Sequence, residues 1–258
     1  ADTLVATSQP LATEAGLQAL RSGGNALDAA LAAAITLTVV EPNNNGLGSD
    51  AFALLWDGQQ VVGLNASGRA PAAWSLDRFA VRKRMPDLGW DSVTVPGAVS
   101  SWVALSDRYG KLPFEALFES AIHYAKNGFM VGPKSAFYWQ LLEGYYSDYP
   151  DWIAHFGPVP KAGERFMRPD MVASLETIRD SKGEAFYRGE LASAMVDAST
   201  RAEGGLIDRI SWVLVRDTSC KFLPIQLSVA VSWSSKFWVG EIGKIYLIPR
   251  RNFHFMYS

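Results

Sequence analysis

The sequence has 258 residues, 48% of them apolar and 19% charged, with a formal net charge of −2. That length can bury a substantial core in one large domain or two modest ones, and the charge excludes a general nucleic-acid binder. A single cysteine, Cys220, excludes an intrachain disulfide and a cysteine-rich zinc site.

Taken in order, the chain opens at Ala1-Asp2-Thr3 with no basic and hydrophobic leader, which predicts that none existed or that it was removed. The location is therefore open between periplasmic or secreted and cytoplasmic. Ser8 and Pro10 predict a helix start, with Ser8 as the cap. Leu11, Ala15, Ala19 and Leu20 share one face at helical spacing, and Gly23-Gly24 ends the helix. Asn25 with Asp28 three residues on is a variant of the capping box, opening a second helix. Its face is Leu27, Ala30, Leu31, Ala34 and Ile35, and it is apolar nearly all round, which predicts close packing on several sides. It stops at Glu41, because the residue before Pro42 is biased out of the helical region. The segment is too short to span a membrane, and Asp28 interrupts it.

Asn43 to Asp50 reads as a tight loop. A strand at Ala51–Trp56, with Phe52, Leu54 and Trp56 on one face, turns at Asp57-Gly58 and returns through Val61–Leu64. Residues 65–94 are loop-rich, and the basic cluster Arg82-Lys83-Arg84 reads as a solvated surface turn. A third helix follows Val95-Pro96-Gly97, carrying Trp102, Leu105 and Tyr109. A fourth starts at Leu112-Pro113, turns Leu117, Ala121, Ile122 and Ala125 inward and stops at Gly128. The aromatic-rich residues 133–160 are read as core and interface packing. Two further helices cover Met171–Ser181 and Leu191–Thr200. Beyond Asp208 the composition changes: residues 209–258 hold seven Lys and Arg against two acidic residues, with strand-like runs such as Leu227–Val231.

Most short motifs fail on context. Gly46-Leu47-Gly48-Ser49-Asp50-Ala51 matches the dinucleotide pattern G-x-G-x-x-A, but a helix precedes it and a strand follows, the reverse of what phosphate binding needs. His123, His155 and His254 have no metal-ligand spacing, so neither a metal nor another cofactor is expected. No G-x-S-x-G elbow occurs. Asn65-Ala66-Ser67 fits a glycosylation sequon, a pattern frequent by chance, and Cys220 reads as an ordinary thiol.

Several blocks in order carry a resemblance. They are Gln9–Gly16, Gly23–Ala30, Val40–Gly48, Thr94–Val99, Tyr109–Pro113, Ala121-Ile122 with Gly128–Val131, Gly183–Gly189, and Gly204-Gly205-Leu206 with Asp208. Together they resemble the gamma-glutamyltransferase family of N-terminal-nucleophile hydrolases, and Asn45–Phe52 looks most like its acylase-like branch. The resemblance implies an α/β fold, a four-layer αββα sandwich, incomplete in this chain. Residues 1–208 would be the large-subunit core and 209–258 a divergent tail, the product of truncation, frameshift, splicing or divergence.

In that family a precursor cuts itself, and the threonine that begins the small subunit becomes the nucleophile, with its own α-amine as base. That threonine block has no counterpart here, so no catalytic residue is assigned; Thr218 matches only superficially. The implied partners are the small subunit and a small acyl-amide substrate. The resemblance also marks a pocket. Gamma-glutamyl enzymes carry Arg-Glu-x-Ala-Pro, whose arginine grips the α-carboxylate. Aligning Ala70-Pro71 with that Ala-Pro puts Ser67 at the arginine and Gly68 at the glutamate, with Arg69 two places later. Ser67, Arg69 and Asn65 are therefore the substrate-binding candidates. The expected function is acyl transfer or amide hydrolysis, exercised with the small subunit. The alternative is a non-enzymatic fragment with a binding or structural role.

Overall fold

The computed structural model describes residues 3–202 and three short strands further on, at 221–224, 238–241 and 245–248. The first elements are strand β1 (Thr3–Ala6), helix α1 (Pro10–Arg21) and helix α2 (Ala26–Val40). Gln9, not Ser8, caps α1: its side chain accepts the N–H groups of Leu11 and Ala12. The Ser8 hydroxyl instead donates to Glu41 Oε2 at 2.6 Å, a long-range partner that local spacing does not reveal.

Gly23, at φ 88°, makes the left-handed turn between the helices, and the Asn25–Asp28 capping box is fully formed. Asp28 is wholly buried, and its carboxylate also accepts the N–H groups of Lys111 and Leu112, while Asn25 Nδ2 donates to Tyr109 O at 2.7 Å. One acidic side chain thus caps a helix and anchors a turn more than eighty residues away. Helix α2 is the hub. All but Ala26 and Ala34 are buried, as a helix that is apolar nearly all round requires.

Strands β2 (Ala51–Trp56) and β3 (Val61–Ala66) form the predicted hairpin, paired from Ala51↔Ala66 to Trp56↔Val61. Asp57 accepts the N–H groups of Gln60 and Gln59 at the turn, and those bonds hold its pKa below the usual carboxylate value. Ala51, Ala53 and Leu55 join the core with α2; Phe52, Leu54 and Trp56 form the opposite, half-buried face.

Next come α3 (Leu76–Phe79), α4 (Ala98–Tyr109), α5 (Glu119–Asn127) and β4 (Phe129–Met130). The fourth predicted helix is divided: a 3-10 turn at Phe114–Phe118 runs into α5, and Leu117, Ala121 and Ala125 are buried as expected. Then follow α6 (Pro133–Tyr145), α7 (Pro150–Phe156), β5 (Arg165–Phe166), α8 (Pro169–Asp180), α9 (Glu184–Arg188) and α10 (Glu190–Arg201). The aromatic segment divides: Trp139 is fully buried and packs edge-on against Phe166, whereas Phe137 and Tyr145 are exposed.

Strands β6 (Lys221–Pro224), β7 (Trp238–Glu241) and β8 (Ile245–Ile248) complete an antiparallel sheet of order β1-β7-β8-β2-β3-β6. The run Leu227–Val231 lies outside the described residues, as do Thr218, Cys220 and His254. Helix α2 packs on β1, β7 and β8 and is covered in turn by α1, α4 and α5. A helical layer on a sheet is the αβ half of the expected four-layer sandwich. Among the described residues no helix is long and apolar enough to cross a membrane.

Candidate functional site

The sheet delivers the candidate loop. At the end of β3, Asn65 is exposed, Ser67 is half-buried and Arg69 is exposed. Asn65 Oδ1 accepts the Ser67 N–H at 3.0 Å, Ser67 O accepts from Thr94 Oγ1 at 3.1 Å, and Arg69 O accepts the Val95 N–H at 3.0 Å. These three acceptors are all engaged. The donors of the same residues, Asn65 Nδ2, Ser67 Oγ and the Arg69 guanidinium, have no partner among the described residues. A loop with these three acceptors engaged and these donors free among the described residues suits a ligand that presents oxygen lone pairs.

Glycine shapes the loop. Gly68 has φ 77°, and a Cβ there would lie 1.9 Å from Val95 O. Gly97 is pressed as closely, with a Cβ position 2.0 Å from Ala66 O. Thr94–Ala98 therefore lies across the loop as a strap in backbone contact. Its far end is held by Ser49 O, which accepts the N–H groups of Gly97 and Ala98 at 3.1 and 2.9 Å. Its middle is held by Tyr187: the hydroxyl donates to Pro96 O at 2.7 Å and accepts the Ser100 N–H at 3.0 Å. Sequence reasoning singled out Asn65, Ser67 and Arg69 but assigned nothing to Thr94 or Tyr187, whose part depends on bonds spanning 27 and 91 residues.

The Asn43–Asp50 loop leads into β2 beside this strap. The buried Glu41 accepts from Asn45 Nδ2 at 3.0 Å as well as from Ser8. Ser49 Oγ accepts the Gly46 N–H, so the G-x-G-x-x-A segment closes on itself.

The remaining candidates are structural. Arg82 and Arg84 pair with Asp91 and Asp87 on an exposed turn. His123 is exposed and bonds Asn127 through Nδ1. A cleft of about 430 Å³ lies between the ends of α4 and α8, lined by Ser106, Glu115, Arg179 and Lys182 among others, with Lys182 paired to Asp107 and Arg179 to its neighbour Asp180. No group of acidic, histidine or cysteine residues suited to a metal ion occurs among the described residues.

Residues 12–209 match the family model described as gamma-glutamyltranspeptidase. The glutathione hydrolase-like YwrD proenzyme of Bacillus subtilis is 36% identical over 75% of this chain and 38% of its own length. The acylase ACY 1 proenzyme of Pseudomonas sp. strain SE83 is 35% identical over 80% of this chain and 39% of its own length. Among solved structures, cephalosporin acylase from Bacillus halodurans superposes with a TM-score of 0.79 at 35% identity, covering 91% of this chain and 46% of that one. The chain thus spans about two fifths of the length of these curated relatives.

Proposed function

Because the chain belongs to the gamma-glutamyltranspeptidase family, we propose that its residues 1–208 form large-subunit core of an amide acyltransferase or hydrolase, completed by a threonine-initiated small subunit. The proenzyme names of its relatives support a precursor that matures into two chains. In the assembled site the threonine hydroxyl oxygen bonds to the acyl carbon and its α-amine takes the proton. The amide C–N bond breaks, the amine leaves protonated, and water or an amino acid then takes the acyl group from the threonine ester.

This chain's contribution is recognition. The observation that supports the reading is the Asn65–Arg69 loop, with three acceptors engaged and its side-chain donors free among the described residues; by the sequence resemblance, this loop corresponds to the one that carries the carboxylate-gripping arginine in gamma-glutamyl enzymes. Ser67 offers one neutral hydrogen bond where a guanidinium offers two charge-assisted ones, each roughly twice as strong. A gamma-glutamyl α-carboxylate is therefore poorly held at Ser67, and the preference moves to other acyl groups, with Ser67, Arg69 and Asn65 lining the pocket.

The test pairs this chain with a compatible small subunit and compares gamma-glutamyl anilide and glutaryl anilide, which both carry that carboxylate, with butyryl anilide, which lacks it and the α-amino group. The butyryl compound is expected to match or exceed the gamma-glutamyl one. A hundredfold advantage in kcat/KM for the gamma-glutamyl compound, about 2.7 kcal/mol, would overturn the reading.

A further inference from the structure

We propose that Tyr187 is a positioning residue for the acyl loop, setting the place of Ser67 and Arg69 through the Thr94–Ala98 strap. The proposal rests on the reading of Asn65–Arg69 as the acyl-binding loop.

Tyr187 lies in α9 and is buried. Its ring supplies apolar packing, but its hydroxyl is used at both of its functions, donating to Pro96 O and accepting from Ser100 N. Pro96 has no N–H, so its carbonyl is the only backbone hydrogen-bonding group of that residue. The Ser100 N–H belongs to the first turn of α4, where no intrahelical carbonyl is available to it. One hydroxyl therefore fixes both the middle of the strap and the start of the helix that continues it.

The two residues before Pro96 carry the acyl loop. Val95 N–H holds Arg69 O, and Thr94 Oγ1 holds Ser67 O. There is no slack between strap and loop, because Cβ positions at Gly68 and Gly97 would fall about 2 Å from carbonyl oxygens across the contact. A displacement of Pro96 is handed on to Ser67 and Arg69 instead of being absorbed.

Tyr187→Phe keeps the ring and removes only the hydroxyl. Hydrogen exchange on the full chain 1–258 reads the effect directly. Peptides covering residues 66–70 and 94–98 are expected to exchange about fivefold faster, the factor for losing the strap's bond at Pro96 O, about 1 kcal/mol, while residues 26–31 in α2 keep their protection. In the enzyme paired with its small subunit, KM for glutaryl anilide is expected to rise by a similar factor with kcat unchanged.

Unchanged exchange at 66–70, or an equal rise in α2 and in the loop, would overturn the proposal. Trp139→Phe, a remote core change, is the control; a selective rise at 66–70 in that variant would also overturn it. Failure of the acyltransfer reading is separate, since it shows as no turnover in the paired unmutated enzyme and leaves the exchange result standing.

Discussion

Gly68 and Gly24 show two different reasons for a glycine. Gly68 combines a left-handed backbone with a Cβ position 1.9 Å from Val95 O, so Gly68→Ala meets both dihedral strain and a backbone clash. Its cost is expected to be at least about 2 kcal/mol by urea denaturation; a variant within experimental error of the parent would refute the strap geometry. Gly24 has no positive φ; that belongs to Gly23. Gly24→Val is still expected to destabilise, for a steric reason, because a Cβ there would meet Ala19 O and Leu112 Cδ1, each at 2.8 Å. Asp28 is the polar counterpart. Asp28→Ala would strip the buried acceptor from the N–H groups of Asn25, Lys111 and Leu112, at about 3 kcal/mol or more, measurable as a lowered urea midpoint. At the acyl loop, Arg69→Ala is expected to cost about 1.5 to 3 kcal/mol in kcat/KM toward glutaryl anilide in the paired enzyme, with little change in Tm. An effect on Tm without one on kcat/KM would make Arg69 a structural residue.

The elements divide according to how local their determinants are. Helix α2 and the β2–β3 hairpin were legible because apolar spacing, a capping box and a turn dipeptide lie within a few residues of what they control. Gln9 rather than Ser8 caps α1, and the Ser8 hydroxyl goes to Glu41, thirty-three residues away, a partner that local spacing does not show. The fourth helix was placed but not its 3-10 entrance at Phe114–Phe118, which periodicity does not separate from an α-helical turn. At the candidate site, Asn65, Ser67 and Arg69 could be named from family spacing, whereas the strap that fixes them could not, since most of its bonds use backbone atoms. Helix α8 offers a pH test. Its first turn holds Asp170, whose pKa is lowered by hydrogen bonding to Arg168. A depressed carboxylate stabilises the fold above its ordinary value near 3.8 and loses that stabilisation as pH falls through the lower folded value. Asp170 is partly exposed, so the loss is expected to stay below about 1 kcal/mol, and Asp170→Asn should flatten that part of the acid stability profile by no more than this. A larger change would mean that the pair is shielded from solvent.

For the molecule as a whole, recognition and chemistry are expected to sit on different chains. Chain 1–258 by itself should give no amide turnover; saturable hydrolysis abolished by Thr218→Ala would overturn that. The ties among the sequence blocks also carry a lesson for recombining this chain with a relative. Residues 25–28 are bound to 109–112, Ser49 to Gly97 and Ala98, residues 67–69 to 94–95, and Pro96 and Ser100 to Tyr187. A crossover between residues 72 and 93 severs all of these but the last, whereas one between residues 146 and 149 severs only the last. Much of each bond is made by backbone atoms, which any parent supplies. A chimera spliced between α6 and α7 should therefore inherit the loop geometry of its first parent if the second supplies a tyrosine at position 187 and a strand to pair with β3.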